Sequence, residues 1–116
     1  MFIVDAHLDL SYNAIRGRDV LRPASEQVPD ADGIPSVGLP DLRAGGVGLI
    51  CATIFCAPDS PKERGYHNSE EAHAMAMDQL RWYRRLTHDR QITIVTTAEQ
   101  LNHPTQLQVS QRSVNS

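Results

Sequence analysis

The sequence predicts an α/β fold built on a parallel sheet, and three features of the chain carry that prediction. Short apolar or β-branched runs stand at Phe2 to Val4, Val47 to Phe55 and Ile92 to Thr96, and each has the composition of a strand. The middle run is apolar on both faces, as a strand covered by helices on both sides must be. A strongly periodic helix separates the second run from the third, and a helix start follows the third. Strands alternating with helices of this length imply right-handed βαβ units, in an open doubly wound sheet or a (β/α) barrel.

Composition sets the outer bounds. The 116 residues are 41% hydrophobic and 22% charged, which places the chain among folded globular domains and not among disordered or fibrous ones. A formal net charge of −3 offers no basic stripe, so nucleic acid and anionic membrane surfaces are excluded as expected partners. The longest apolar stretch, Val47 to Ala57, is broken by Gly48 and Thr53 and is about half the length that spans a bilayer. No membrane segment is expected. The opening Met1-Phe2-Ile3-Val4-Asp5 lacks a basic start and reaches a carboxylate too early for a signal peptide, which predicts a cytoplasmic protein.

Taken in order, Phe2 to Val4 should form a buried strand that leads into the polar-rich Asp5-Ala6-His7-Leu8-Asp9-Leu10. Arg16 to Pro40, with Pro23, Pro29, Pro35 and little periodicity, reads as a long surface loop. Asp41 to Ala44 makes a helical turn that Gly45-Gly46 stops before the central strand. Pro58 to Asn68 is a second loop. Asn68 or Ser69 then caps a helix over Ser69 to His88, with Glu70 and Glu71 where the helix dipole favours them. Ala72, Met75, Ala76, Gln79, Leu80, Tyr83 and Leu86 recur at three- and four-residue steps as its core-facing stripe. After the strand Ile92 to Thr96, Thr97 and Gln100 have capping-box spacing for a short helix that Pro104 must end. Residues 1–104 are thus one structural unit. Residues 105–116, rich in Gln, Ser and Asn, are expected to be a disordered polar tail with no further strand.

The residues with chemical potential are few. His7 and Asp9 are two apart at the end of the first strand, so a continuing extended chain would point both side chains to one face. An imidazole and a carboxylate suit zinc or a similar divalent ion, although a structural histidine beside a solvated aspartate has the same two letters. Cys51 and Cys56 match neither a redox pair nor a zinc ribbon and read as buried thiols. His67, His73 and His88 read as surface histidines. Ser11 and Ser69 have no histidine and acid arranged about them by any motif. Gly45 to Gly48 precedes a strand and not a helix, so it is no phosphate loop.

The longer string Val4-Asp5-Ala6-His7-Leu8-Asp9-Leu10 is similar to the opening Asp-x-His-x-Asp-Leu of the membrane (renal) dipeptidase family, zinc metallopeptidases of the amidohydrolase superfamily. Gly38-Leu39-Pro40-Asp41-Leu42-Arg43-Ala44-Gly45-Gly46-Val47-Gly48 resembles that family's leucine-rich helix and its Gly-Gly-Val turn into the second strand. The resemblance extends over about Phe2 to Leu101. It implies a partial (β/α) TIM-type barrel, of which this chain supplies the N-terminal strands and helices only. It also implies a binuclear zinc site and hydrolysis of dipeptides or related small amides, with His7 and Asp9 as ligands of one metal. Asp5 would orient His7 as an outer-shell partner. The family's bridging glutamate and two later histidines lie beyond the strand that ends near Thr96, and neither Glu99 nor His103 matches them. No catalytic residue is carried over. A site with two of its ligands should bind metal weakly and not catalyse usefully. A histidine and a carboxylate alone would also accept manganese, iron or cobalt, and the sequence specifies no oligomeric state. Two other readings stand beside this one: a non-catalytic α/β binding module left from a truncated barrel, and an open doubly wound sheet, which leaves His7 and Asp9 unexplained.

Overall fold

The structure, a computed structural model, describes residues 2–30, 33–102 and 107–110. Its strands are β1 (Ile3–Leu8), β2 (Val47–Ala52), β3 (Ile92–Val95) and β4 (Leu107–Ser110). The helices are α1 (Leu10–Ile15), α2 (Leu39–Ala44) and α3 (Ser69–His88), with short 3-10 turns at Ala24–Glu26 and Glu99–Asn102. The four strands form one parallel sheet in the order β1-β2-β4-β3. The chain is therefore an α/β protein with a parallel sheet.

Helix α3 has the bounds and the cap that its sequence predicts. The Asn68 side chain accepts from the Glu71 N–H at 2.9 Å, Glu70 and Glu71 occupy the first turn, and Arg85 and His88 the last. Its fully buried residues, Gln79, Tyr83 and Leu86, follow helical spacing and face the sheet. Tyr83 and Leu86 join Leu10, Leu39, Ile50, Ile92, Leu107 and Val109 in a single hydrophobic core. Helix α2 ends where Gly46 takes a φ of 82°, a left-handed conformation that glycine adopts without steric cost and that turns the chain into β2.

The 16–38 segment is a loop, as expected, but it is tied down. Arg18 grips both oxygens of Asp30, at 3.0 and 2.9 Å, and the Gln27 amide donates to the Arg22 and Val37 carbonyls at 2.9 Å each. Gly38 lies so close to the Arg22 carbonyl that a Cβ would overlap it.

The expectation of no strand after Pro104 is corrected by β4. Leu107 and Val109 enter the core at 3% and 0% exposure, and Gln108, on the opposite face, is equally buried. Its Nε2 donates to the Gln100 carbonyl at 2.8 Å, which is how a polar residue is accommodated in a central strand. Residues 105, 106 and 111–116, the remainder of the predicted tail, and Pro104, the predicted helix stop, lie outside the described residues.

β4 sits between β2 and β3, so the strand order departs after β2 from the consecutive order of a (β/α) barrel. β1 forms one edge of the sheet, and the expectation of a buried strand at Phe2 to Val4 is corrected: the strand starts at Ile3, and Phe2, Ile3 and Val4 are 53%, 37% and 52% exposed on that poorly covered edge. No helix among the described residues is long and apolar enough to cross a membrane.

Candidate functional site

Parallel pairing of β1 with β2 brings their C-terminal ends together: Leu8 lies opposite Ala52, and the Thr53 N–H donates to the Leu8 carbonyl at 3.1 Å. Here the two sequence-predicted ligands meet. His7 Nε2 stands 3.4 Å from Asp9 Oδ1. They do so by a different route from the one the spacing implied, because the strand stops at Leu8 and Asp9, with ψ near 63°, opens α1. The Asp9 carboxylate makes no cap bond to that helix; it accepts a hydrogen bond from the Thr53 hydroxyl. Its backbone carbonyl accepts from Asn13 Nδ2 at 2.6 Å. Asp5 contacts His7 through the main chain, accepting from the His7 N–H at 3.0 Å, so it positions the backbone and not the imidazole as the resemblance implied.

His7 and Asp9 open into a cavity of about 500 Å³ walled by Tyr12, Cys51, Ile54 and Phe55. The Tyr12 and Phe55 rings meet edge to face at 5.1 Å and form its apolar side. The His7 side chain is 73% exposed at the mouth of this cavity. Cys51 lines this cavity and is half-buried, like Cys56, where the sequence led to an expectation of two buried thiols. Burial pushes the Cys56 thiol above its ordinary pKa. Among the described residues no third His, Cys, Asp or Glu joins His7 and Asp9 in a metal-binding group.

Beneath the cavity lies a polar network that the residue pattern did not disclose. The Tyr83 hydroxyl donates to the Thr53 carbonyl at 2.8 Å and accepts from the Ser11 N–H at 3.2 Å. The Ser11 hydroxyl donates to Gln79 Oε1 at 2.8 Å, and the Gln79 amide pairs with both backbone groups of Phe55. Gln79 and Tyr83 stand on the stripe that helical period marks as apolar, but their polar ends tie Ser11 at the start of α1 to Thr53 and Phe55 just past β2. Burial raises the Tyr83 phenol above its usual range, which keeps it protonated and able to donate. Ser11 is fully buried in this network and is structural. A glutamine at a core position is itself the available signal, since a buried amide must find partners.

Of the other histidines, His73 and His88 are exposed, as expected. His67 is exposed but engaged: Nδ1 lies 2.9 Å from Glu71 Oε2 and Nε2 3.4 Å from Asp59 Oδ2. The hydrogen bond to Glu71, then the charges of Glu71 and Asp59, hold His67 above its ordinary pKa. The His67 N–H lowers Glu71, and the Gly65 N–H lowers Asp59.

No protein-family model, curated protein sequence or solved structure matches this chain.

Proposed function

We propose that His7 and Asp9 are the first two metal ligands of a zinc-dependent dipeptidase site, in a fold whose whole is a (β/α) barrel hydrolysing dipeptides or small amides. The observation that carries the reading is their separation. Two ligand atoms about 2.0–2.1 Å from a tetrahedrally held zinc lie about 3.4 Å apart, and His7 Nε2 and Asp9 Oδ1 stand 3.4 Å apart at the rim of one cavity. The resemblance of residues 4–10 to the dipeptidase metal motif supports the same assignment. So does their place at the C-terminal end of a parallel strand, where barrel enzymes collect their reactive groups. That place depends only on the β1-β2 pair and is indifferent to the order of the later strands.

The chemistry that zinc supplies when bound is Lewis-acid polarisation of the scissile carbonyl. His7 would present the lone pair of its neutral imidazole, and Asp9 the negative charge that offsets part of the dication's. Thr53 fixes the carboxylate by its hydroxyl, and the Tyr12 and Phe55 rings line one side of the cavity. Two protein ligands do not complete a catalytic zinc site, for which three are usual; the chain is therefore expected to bind the ion weakly and not to turn over substrate with these two alone.

The test is calorimetric titration of the protein with zinc at pH 7, beside His7→Ala and Asp9→Ala. Weak one-site binding that both substitutions abolish supports the reading. Binding that survives both, or no binding by the parent, removes its basis.

A further inference from the structure

We propose that a second cavity, between α1, α3 and the 57–65 loop, binds a small organic carboxylate with an apolar body. The proposal goes beyond the metal reading and does not rest on it. The cavity holds about 740 Å³ and is thus larger than the one beside His7, within the range that small-molecule sites occupy. Its apolar surface comes from Ile15 and the Tyr12 ring on α1, Ala57 on the loop, and Ala74 and Met75 on α3.

The charges around it are not balanced in their commitments. Every acid at the rim already has a basic partner: Glu63 faces Arg16 at 3.7 Å and accepts from the Tyr12 hydroxyl, Glu71 holds His67 at 2.9 Å, and Asp78 holds Arg81 at 2.8 Å. Arg16 is further occupied over the Tyr12 ring, 4.9 Å from its centroid. Lys62 and Arg64, also at the rim, make no hydrogen bond or ion pair among the described residues; Arg64 has only a longer-range attraction to Asp59. The unspent charge is therefore positive and sits over an apolar floor. A cation would find no free acid there, and a neutral hydrocarbon would leave both basic groups unused. A carboxylate on a branched or aromatic group satisfies both, its head reaching Lys62 and Arg64 and its body lying on Met75 and Ala74. Arginine suits a planar carboxylate in particular.

The experiment is an NMR titration in EDTA, so that metal plays no part, with N-acetyl-L-leucine as probe and N-acetyl-L-leucinamide and acetate as controls. Saturable shifts of the 57–65 and 71–78 amides by the acid are expected, with the neutral amide and acetate each binding roughly tenfold more weakly or not at all. The double variant Lys62→Gln/Arg64→Gln, at exposed loop positions, should weaken the acid about tenfold. Ala74→Glu, exposed on α3 and compatible with a helix, should abolish binding by placing a carboxylate in the cavity. Equal binding of acid and amide, shifts confined to residues 6–9 and 51–55, or no saturable shift would each overturn the proposal. None of these results bears on zinc binding at His7 and Asp9.

Discussion

Gln79 bonds to Phe55 as a neighbouring strand would: its Oε1 accepts from the Phe55 N–H at 3.1 Å and its Nε2 donates to the Phe55 carbonyl at 2.5 Å. The same oxygen accepts from Ser11. A side chain on α3 thus completes the hydrogen bonding of the chain just past β2. Replacing it with leucine keeps the bulk, leaves the N–H and carbonyl of Phe55 without their partner, and leaves the Ser11 hydroxyl with only the Thr53 carbonyl at 3.2 Å. Gln79→Leu should destabilise the protein by about 2–4 kcal/mol, read as a lower urea midpoint. Gln79→Glu should also destabilise, because a buried carboxylate has no N–H for the Phe55 carbonyl. A midpoint unchanged in both would mean that water takes over these bonds.

Thr53 reaches the candidate metal ligands from the residue just past β2. Thr53→Val preserves shape and removes the hydroxyl that donates to Asp9. Zinc affinity should fall by about 10–100-fold, the usual effect of losing a ligand's supporting partner, while stability changes by about 1 kcal/mol. Calorimetry of the variant beside the parent measures both consequences, and an unaltered affinity would count against Asp9 as ligand.

Gly38 has an extended backbone, φ −143° and ψ 158°, so its requirement is for space alone. A Cβ there would overlap the Arg22 carbonyl and sit 3.1 Å from Asp41 Oδ2. Gly38→Ala should cost about 1–3 kcal/mol through forced backbone movement. Thermal unfolding is the check, and a wild-type Tm would show that the 22–38 loop gives way freely.

The Asp59-His67-Glu71 cluster makes the 59–67 loop pH-sensitive. His67 is raised in the fold, so its contribution is complete below its unfolded pKa of about 6.5 and is lost as pH climbs through the higher folded value. Asp59 and Glu71 are lowered, so theirs is complete above about 4.5 and is lost as pH falls through the folded values. The loop should be held best between about pH 4.5 and 6.5. Protection of the Gly65 N–H, which donates to Asp59 Oδ1 at 3.0 Å, should peak there. His67→Gln should flatten the alkaline side.

What could be read from the sequence was what neighbouring residues decide. The bounds of α3 follow from Asn68, two acids and a seven-residue stripe, all local. α1 escaped notice because it is six residues long and its opening aspartate turns to Thr53 instead of capping. β4 escaped because Gln108 looks like a surface residue until the Gln100 carbonyl, eight positions back, is seen to accept from it. His7 and Asp9 were identified as a pair by spacing and resemblance. Thr53, 44 positions from Asp9, comes into reach only through the β1-β2 register, and helical period alone puts Gln79 on an apolar stripe.

The place of β4 in the sheet also sets an order of assembly. β1 and β2 can pair as soon as Ala52 has been synthesised, but β3 then emerges with no strand beside it, since its sheet neighbour is β4. The four residues Leu107–Ser110 pair with β3 along their whole length and with β2 at Gln108 and Val109. Until they insert, the nascent chain is a paired half and a lone strand, with the closure of a loop of more than fifty residues still to be met. Leu107–Ser110 is therefore the keystone of the sheet: the last described strand to be synthesised is the one that joins the others.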